Sequence, residues 1–175
     1  MDLPRACGEV IERLKKEAEG LRKRHMRGAG EWTPVFKDAL AEIGHEHGCQ
    51  VWANGGSPEP REDQALDFHE WLFDVCWARC QQDWETFQGL ALACEIEWGY
   101  SERDWKQDFY KLTVAEAGIR LFIFACKKDG KGALDKVQRW SSWRPGQLYL
   151  AMVVPDDEEP VSRCWMSEAS SKGGS

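Results

Sequence analysis

The chain has 175 residues, of which 42% are hydrophobic and 30% charged, and its formal net charge is −7. This composition is typical of a single globular domain and excludes a disordered chain. The acidic balance argues against tight, non-specific binding to the nucleic-acid backbone, because that binding depends on basic side chains.

Signals for membranes and for secretion are absent from the sequence. The apolar runs are far shorter than the roughly 20 residues that cross a bilayer, and the first residues lack the basic-then-apolar pattern of a secretory signal. Several of the seven cysteines lie within apolar stretches, where free cysteine behaves as a small hydrophobe. We therefore expect a cytoplasmic protein without a disulfide framework and without a membrane partner.

The first part of the chain is predicted to be helical. Apolar residues at three-to-four spacing predict a helix over residues 4–26, ended by the glycines of residues 28–30. A second helix is expected from Thr33 and Pro34 to Gly48, because proline is favoured in a first helical turn. Residues 49–54 then predict a short strand.

Basic residues cluster in the first predicted helix, on the most obvious phosphate-binding face of the sequence. Acidic residues are interleaved with them, so an ordinary solvated helix face is the alternative interpretation. The candidate nucleic-acid-binding residues are Lys15, Lys16, Lys23 and Arg24.

Two long strands are predicted in the middle of the chain, after a loop at residues 55–64 that is rich in Gly, Pro and charge. Residues 66–79 alternate in polarity and predict a strand that contains Asp74. The stretch LALACEIEWG, residues 90–99, predicts its partner. Strand side chains alternate between faces, so Glu95 and Glu97 point the same way.

The remaining elements alternate between helix and strand. We predict a helix from Ser101 to about Ala117, with Ser101 as its N-cap, a strand over 119–126, a helix-like crossover over 130–143 and a strand over 146–154. This order predicts an α/β fold with a central mixed β-sheet flanked by helices. We expect one domain over residues 1–155, with an N-terminal helical extension, and a polar tail over 156–175.

Three carboxylates are expected to meet on one face of this sheet. Like charges one strand repeat apart, such as Glu95 and Glu97, raise each other's pKa unless a cation or a proton lies between them. If the neighbouring strand brings Asp74 to them, the three form a hard-oxygen site for magnesium or manganese. Trp98, beside the pair, is either a core residue or a ring that stacks on a base.

These residues resemble a known signature. Asp74 in EWLFDVCW and the glutamates in LACEIEWG are similar to the strand motifs of the PD-(D/E)XK nuclease superfamily, which has the restriction-endonuclease-like fold. The resemblance covers about residues 35–126. It implies an αβββαβ core, Asp74 and Glu95 as ligands of Mg²⁺ or Mn²⁺, and hydrolysis of phosphodiester bonds in nucleic acid, with DNA favoured over RNA.

The sequence departs from the superfamily at Glu97, where a lysine is expected. Some members carry a glutamate there, and others are thought to supply the lysine from the neighbouring helix. Lys111 in the helix after Ser101 is our candidate, with Asp108 or Asp104 as ordinary surface partners in the alternative interpretation. Further acidic candidates for the site are Glu70, Glu42 and Glu46.

Three functions remain open at this point. The first is a metal-dependent nuclease with Asp74, Glu95 and Glu97 as catalytic and metal-binding residues and Lys111 as a catalytic cation. The second is a catalytically inactive nuclease fold that binds or regulates, which the acidic net charge and the missing strand lysine favour. The third is an acidic scaffold whose carboxylates are merely solvated. A homodimer or a protein partner is left open in each case.

Overall fold

A computed structural model describes residues 2–26, 28–53, 72–80, 86–141, 145–156 and 158–168. Within these ranges the chain forms a six-stranded mixed β-sheet with two helices on each face. The α/β class predicted from the sequence, with a central mixed sheet flanked by helices, is therefore confirmed.

The elements follow one another in the order expected from the sequence, with one additional strand at the end. The helices are Leu3–Lys23 (α1), Ala29–Glu46 (α2), Glu102–Val114 (α3) and Gly130–Trp140 (α4). The strands are Gln50–Ala53 (β1), Val75–Cys80 (β2), Phe87–Glu97 (β3), Ala117–Cys126 (β4), Leu148–Pro155 (β5) and Val161–Met166 (β6).

The strands lie in the sheet in their sequence order, β1 to β6. Strands β1, β2 and β3 form an antiparallel meander, β3, β4 and β5 are parallel, and β6 runs antiparallel to β5. The parallel connections pass through α3 and α4, as parallel neighbours require. The ends of β3, β4 and β5 and the start of β2 therefore meet at one side of the sheet, which we call the C-terminal edge.

One face of the sheet is covered by α1 and α2. The buried residues of α1 follow the predicted helical spacing. Helix α2 begins at Ala29 rather than at Thr33, because Gly28 is the N-cap of α2. The preceding helix has already ended at Lys23. The backbone N–H of Gly28 donates to the Glu31 carboxylate at 3.1 Å, and Pro34 lies inside the helix.

The other face is covered by α3 and α4. Ser101 caps α3 as predicted, since its hydroxyl accepts a hydrogen bond from the backbone N–H of Asp104 at 3.1 Å. Phe109 of α3 packs between Phe122 and Tyr149, with ring centroids 5.7 and 5.4 Å away. This aromatic contact holds α3 against β4 and β5 and so fixes its position beside the end of β3.

Strand β2 is shorter than the sequence suggested. It begins at Val75, and residues 72–74 form bends, whereas the alternation of residues 66–79 predicted a continuous strand. Residues 66–71, with the candidate Glu70, and the predicted loop at 55–64 lie outside the residues that the structure describes. Asp74 therefore lies just before the strand rather than in its middle.

The C-terminal part of the chain corrects another expectation. Residues 156–175 were expected to form a polar tail, but Val161–Met166 form β6. The Trp165 ring stacks on Tyr149 at 5.5 Å, and its indole N–H donates to Ser141 Oγ at 2.8 Å. The segment is polar because β6 is an edge strand, and edge strands commonly carry charged side chains. One of these, Arg163, pairs with Asp135 at 2.7 Å.

The state of the cysteines and the apolar length of the helices are two further features of the fold. All seven cysteines lie within the described ranges, and no disulfide joins them. Among the helices of those ranges, none is both long and apolar enough to span a bilayer.

Candidate active site at the C-terminal edge

Asp74 is held in the plane of the sheet at the C-terminal edge. Its Oδ2 accepts a hydrogen bond from the backbone N–H of Ile96 at 2.9 Å. In a longer β2 strand, a backbone carbonyl would accept the hydrogen bond from this N–H. Because β2 starts only at Val75, the Asp74 carboxylate accepts it instead. Its Oδ1 accepts from the Lys37 ammonium, also at 2.9 Å. Asp74 thus joins the end of β3 to α2.

Lys37 is a site residue that the sequence analysis missed. Its side chain is only 6% exposed and reaches Asp74 from α2. A buried ammonium requires a partner, because leaving it unpaired in the interior costs several kcal/mol, about 3–5. The position of Lys37 in the sequence could have predicted its burial, because it lies between Phe36 and Leu40, on the buried face of α2. A lysine within an apolar stripe predicts a buried anionic partner.

Glu95 lies on the opposite side of the same edge, facing α3. Its side chain is 5% exposed, its Oε2 is 3.5 Å from the Lys111 ammonium, and its buried Oε1 has no hydrogen-bond partner. Burial raises the pKa of Glu95 to about 8; Lys111 opposes the shift, and the charges of Asp74 and Asp108 add to it. The site therefore holds a carboxyl group whose ionisation is costly without more positive charge.

Lys111 has both of the partners considered from the sequence. Its ammonium lies 2.6 Å from Asp108 Oδ1 and 3.5 Å from Glu95 Oε2, and its side chain is 45% exposed. Burial acts to lower the pKa of Lys111, but the hydrogen bond to Asp108 and the charge of Glu95 outweigh it and raise the pKa. Lys111 therefore stays charged, with one side open to solvent.

Glu97 is engaged elsewhere. Its carboxylate accepts a hydrogen bond from the backbone N–H of Gly99. Burial raises its pKa, and a hydrogen bond shared with Asp108 raises it further. A Cβ at Gly99 would lie 2.9 Å from both Glu97 Oε1 and Asp104 Oδ2, so the ends of these two side chains approach the turn closely. Glu97 thus belongs to a contact between the end of β3 and the start of α3.

The expected cluster of three carboxylates is not formed. No group of three or more His, Cys, Asp and Glu side chains is arranged to hold a metal ion among the residues that the structure describes. Asp74 and Glu95 influence each other electrostatically, whereas Glu97 contacts Gly99 and Asp108. Asp74 and Glu95 are therefore near enough to influence each other, while Glu97 is held by other contacts.

The other acidic candidates do not join them. Glu42 is exposed and pairs with Arg13 of α1, at the contact between the first two helices. Glu46 is exposed near the end of α2. Glu70 lies outside the described residues. The acidic side chains at this site therefore come from the end of β3, from Asp74 and from α3.

The basic candidates occupy α1, which covers the sheet face opposite to Glu95 and Lys111. Lys16, Lys23 and Arg24 are exposed and Lys15 is half-buried. Lys23 lies 4.0 Å from Glu19 in the same helix, and the guanidinium of Arg24 donates to its own helix backbone. These contacts are those of a solvated helix face.

Comparisons of the chain with models of protein families, with curated proteins and with solved structures found no match. The chemistry of the site therefore rests on its own residues. The site has two carboxylates, from neighbouring positions of the sheet, and each is paired with a lysine from a different helical layer: Asp74 with Lys37, and Glu95 with Lys111.

Proposed function

We propose that this chain is a metal-dependent nuclease that hydrolyses phosphodiester bonds in nucleic acid, DNA more than RNA, at Asp74 and Glu95. The observation that carries the proposal is that Asp74, paired with Lys37, and Glu95, paired with Lys111, lie at one edge of the sheet and influence each other electrostatically. Carboxylates bind a hard cation, and an ammonium stabilises the negative charge that develops on a phosphate.

The order of elements supports the same function. Helix α2, strands β1, β2 and β3, helix α3 and strand β4 follow in the αβββαβ order that the resemblance to PD-(D/E)XK nucleases implies. Glu95 lies near the end of the third strand, as the superfamily's motif implies, whereas Asp74 directly precedes the second strand and the motif places its aspartate on that strand. Lys111 and Lys37 supply from helices the charge that the motif places on the strand.

The donor set fits a magnesium ion that also contacts substrate. Mg²⁺ keeps several waters and is commonly bound through one or two carboxylates together with substrate phosphates. Asp74 and Glu95 would hold it, and the unpartnered Glu95 Oε1 is a buried oxygen without a donor. When bound, the cation would lower the pKa of an attacking water and stabilise charge on the phosphate.

The two lysines have different tasks. Lys111 is close to half exposed and stays charged, so its ammonium can contact a substrate phosphate and stabilise the transition state. Lys37 is buried, so it acts as a positioning residue that fixes the Asp74 carboxylate. Glu97 shares a hydrogen bond with Asp108 of α3, and in this proposal it is a positioning residue rather than a metal ligand.

A second function is favoured by a different aspect of the same contacts. Each of the two carboxylates already has a lysine, so the site is partly neutralised without a metal ion. This arrangement, with the net charge of −7, fits a catalytically inactive nuclease fold that serves as a binding or regulatory module. The two functions differ in whether the site gains a cation.

Thermal melting in chelator and in Mg²⁺ or Mn²⁺ separates the two. A metal that binds only the folded state raises the melting midpoint by mass action. We expect this rise and metal-dependent cleavage of linear or branched DNA for the wild type, and neither for Glu95→Gln. Glu97→Gln is the matched control, and it should keep both. A wild type without a metal shift and without cleavage would contradict the nuclease proposal.

A further inference from the structure

A cavity of about 750 Å³ opens at the C-terminal edge, on the side of α1 and α2. Three aromatic side chains line it, Trp32, Trp98 and Tyr100, together with Arg22 and Asp156. Its volume is within the range of small-molecule sites and is far larger than a single ion needs. Crevices at the carboxyl ends of parallel strands are the usual ligand positions in open α/β sheets.

The aromatic wall of this cavity is held rigidly. The rings of Trp32 and Trp98 meet edge to face, with centroids 6.0 Å apart. The indole N–H of Trp98 donates to Thr33 Oγ1 at 2.7 Å, and that of Trp32 donates to the Met26 carbonyl at 3.0 Å. With both N–H groups satisfied, the rings are fixed in place and form a preorganised apolar wall.

The rim of the cavity is polar and mainly acidic. The hydroxyl of Tyr100 donates to Asp156 Oδ1 at 2.8 Å, while the ring itself is 48% exposed. Glu159 also lines the cavity, 3.8 Å from Arg22, whose guanidinium donates to the Pro155 carbonyl at 2.7 Å. Arg22 is thus already engaged, and the Lys127 ammonium lies 5.6 Å from the Tyr100 ring centroid. Asp156 and Glu159 each have one partner, and their carboxylate oxygens keep further lone pairs that can accept hydrogen bonds from a ligand.

This combination selects the chemistry of a ligand. Two carboxylates at the rim oppose a phosphate group inside the cavity, so an anion is a poor occupant. A flat ring that bears N–H donors suits both the aromatic wall and the acidic rim. Nucleobases have these properties, since each has a π-face and most carry exocyclic amino groups.

The cavity and the candidate active site lie on the two sides of one strand end. Trp98 directly follows Glu97, and side chains alternate, so Trp98 faces α2 while Glu95 faces α3. A nucleic acid that places a phosphate at Asp74 and Glu95 and continues around the end of β3 reaches the cavity. We propose that the cavity binds an unpaired nucleobase of that same strand, next to the phosphodiester that is cleaved.

This inference rests on the proposed nuclease function and deepens it, because it names the substrate. A base inside a duplex is stacked and cannot enter such a cavity. The substrate class is therefore single-stranded nucleic acid, or a junction, flap or bulge that offers an unpaired base. An intact duplex should bind more weakly.

Binding in chelator tests the inference without any need for catalysis. The probe is a fluorescent ten-nucleotide single-stranded DNA, measured by anisotropy, with an abasic strand and a blunt duplex as comparison probes. We expect Tyr100→Ala to weaken binding of the single strand about 5- to 100-fold, the loss of one base stack. Tyr100→Phe, which keeps the ring, should retain most of the affinity.

Tyr110→Ala provides the matched control, because Tyr110 is also 48% exposed but lies on α3. It should bind the single strand as the wild type does, and the abasic strand should show no difference between the variants. An unchanged affinity in Tyr100→Ala, or an equal loss in Tyr110→Ala, would overturn the base-binding cavity even if the protein cleaves DNA. Tyr100-dependent binding without metal-dependent cleavage would keep the cavity and end the nuclease proposal.

Discussion

Replacing Glu95 with glutamine should change how stability depends on pH in metal-free buffer. Burial raises the pKa of Glu95 to about 8 in the folded protein, from an ordinary value of 4.5 in the unfolded chain. Between these values the folded state binds the proton more tightly than the unfolded state does. The free energy of unfolding therefore falls as the pH rises through this window, and Glu95→Gln removes that fall.

The size of the effect follows from the shift. Each pKa unit corresponds to about 1.4 kcal/mol, so the wild type should lose roughly 3 to 5 kcal/mol between pH 4.5 and pH 8.5 through Glu95. Glutamine has nearly the shape of a protonated glutamate, so the two proteins should be about equally stable at pH 4.5. At pH 8.5 the variant should be the more stable protein by most of that amount.

Urea unfolding at five pH values, in chelator, measures this difference. Titrating groups that do not interact with Glu95 contribute equally to both proteins, so the difference between the two curves reports Glu95 together with the charges coupled to it, chiefly Lys111. Two curves that stay parallel from pH 4.5 to 8.5 would mean that Glu95 ionises normally, and the buried-carboxylate interpretation would be wrong. In Mg²⁺ the wild type should regain stability at pH 8.5, and the variant should not.

The remaining predictions concern the lysines and the last strand. Lys37→Met should lower the free energy of unfolding by about 2 to 3 kcal/mol at neutral pH, because it leaves Asp74 without its cation. Urea titration measures this loss, and a clearly smaller loss would mean that the pair contributes little to stability. Lys111→Ala should abolish cleavage but keep the metal-induced rise in melting midpoint and change stability by less than about 1 kcal/mol. The matched variant Lys106→Ala, on the same helix and similarly exposed, should cleave at the wild-type rate. Trp165→Ala should cost about 3 kcal/mol if β6 is part of the cooperative fold, and a melting midpoint equal to that of the wild type would show that it is not.

Local patterns were sufficient for most of the fold. The helical spacing of α1, the serine cap of α3 and the apolar run of β3 over residues 90–94 are all local signals, and the structure has each of them. The alternation of strand side chains also predicted that Glu95 and Glu97 share a face, and α3 covers that face. Lys111 could be expected to approach the strand because Phe109 and Leu112, its neighbours in α3, are core residues.

Other features depend on contacts that no local pattern contains. Lys37 joins the site because α2 packs beside the start of β2, which is separated from it by more than thirty positions. Asp74 turns into the plane of the sheet because β2 starts at Val75. The sequence does not predict this, because the alternation of polar and apolar residues continues through position 74 without a break. Strand β6 was missed because the outward side of an edge strand has the composition of a tail.

The placement of α3 explains why a glutamate at position 97 is tolerated at this end of β3. The Glu97 side chain is directed toward Gly99 and Asp108, with Asp104 also near. A lysine at this position would meet those two aspartates of α3 rather than the carboxylate of Glu95. The position beside Glu95 is instead filled from the helix, by Lys111.

The site therefore depends on both helical layers at once. Lys37 reaches Asp74 from the layer of α1 and α2, and Lys111 reaches Glu95 from the layer of α3 and α4. Loss of either layer would leave one carboxylate buried or half-buried without its cation, which the interior does not tolerate. A fully formed charge cluster thus requires the complete sheet with both layers packed, and the end of β3 is the element on which both pairs converge.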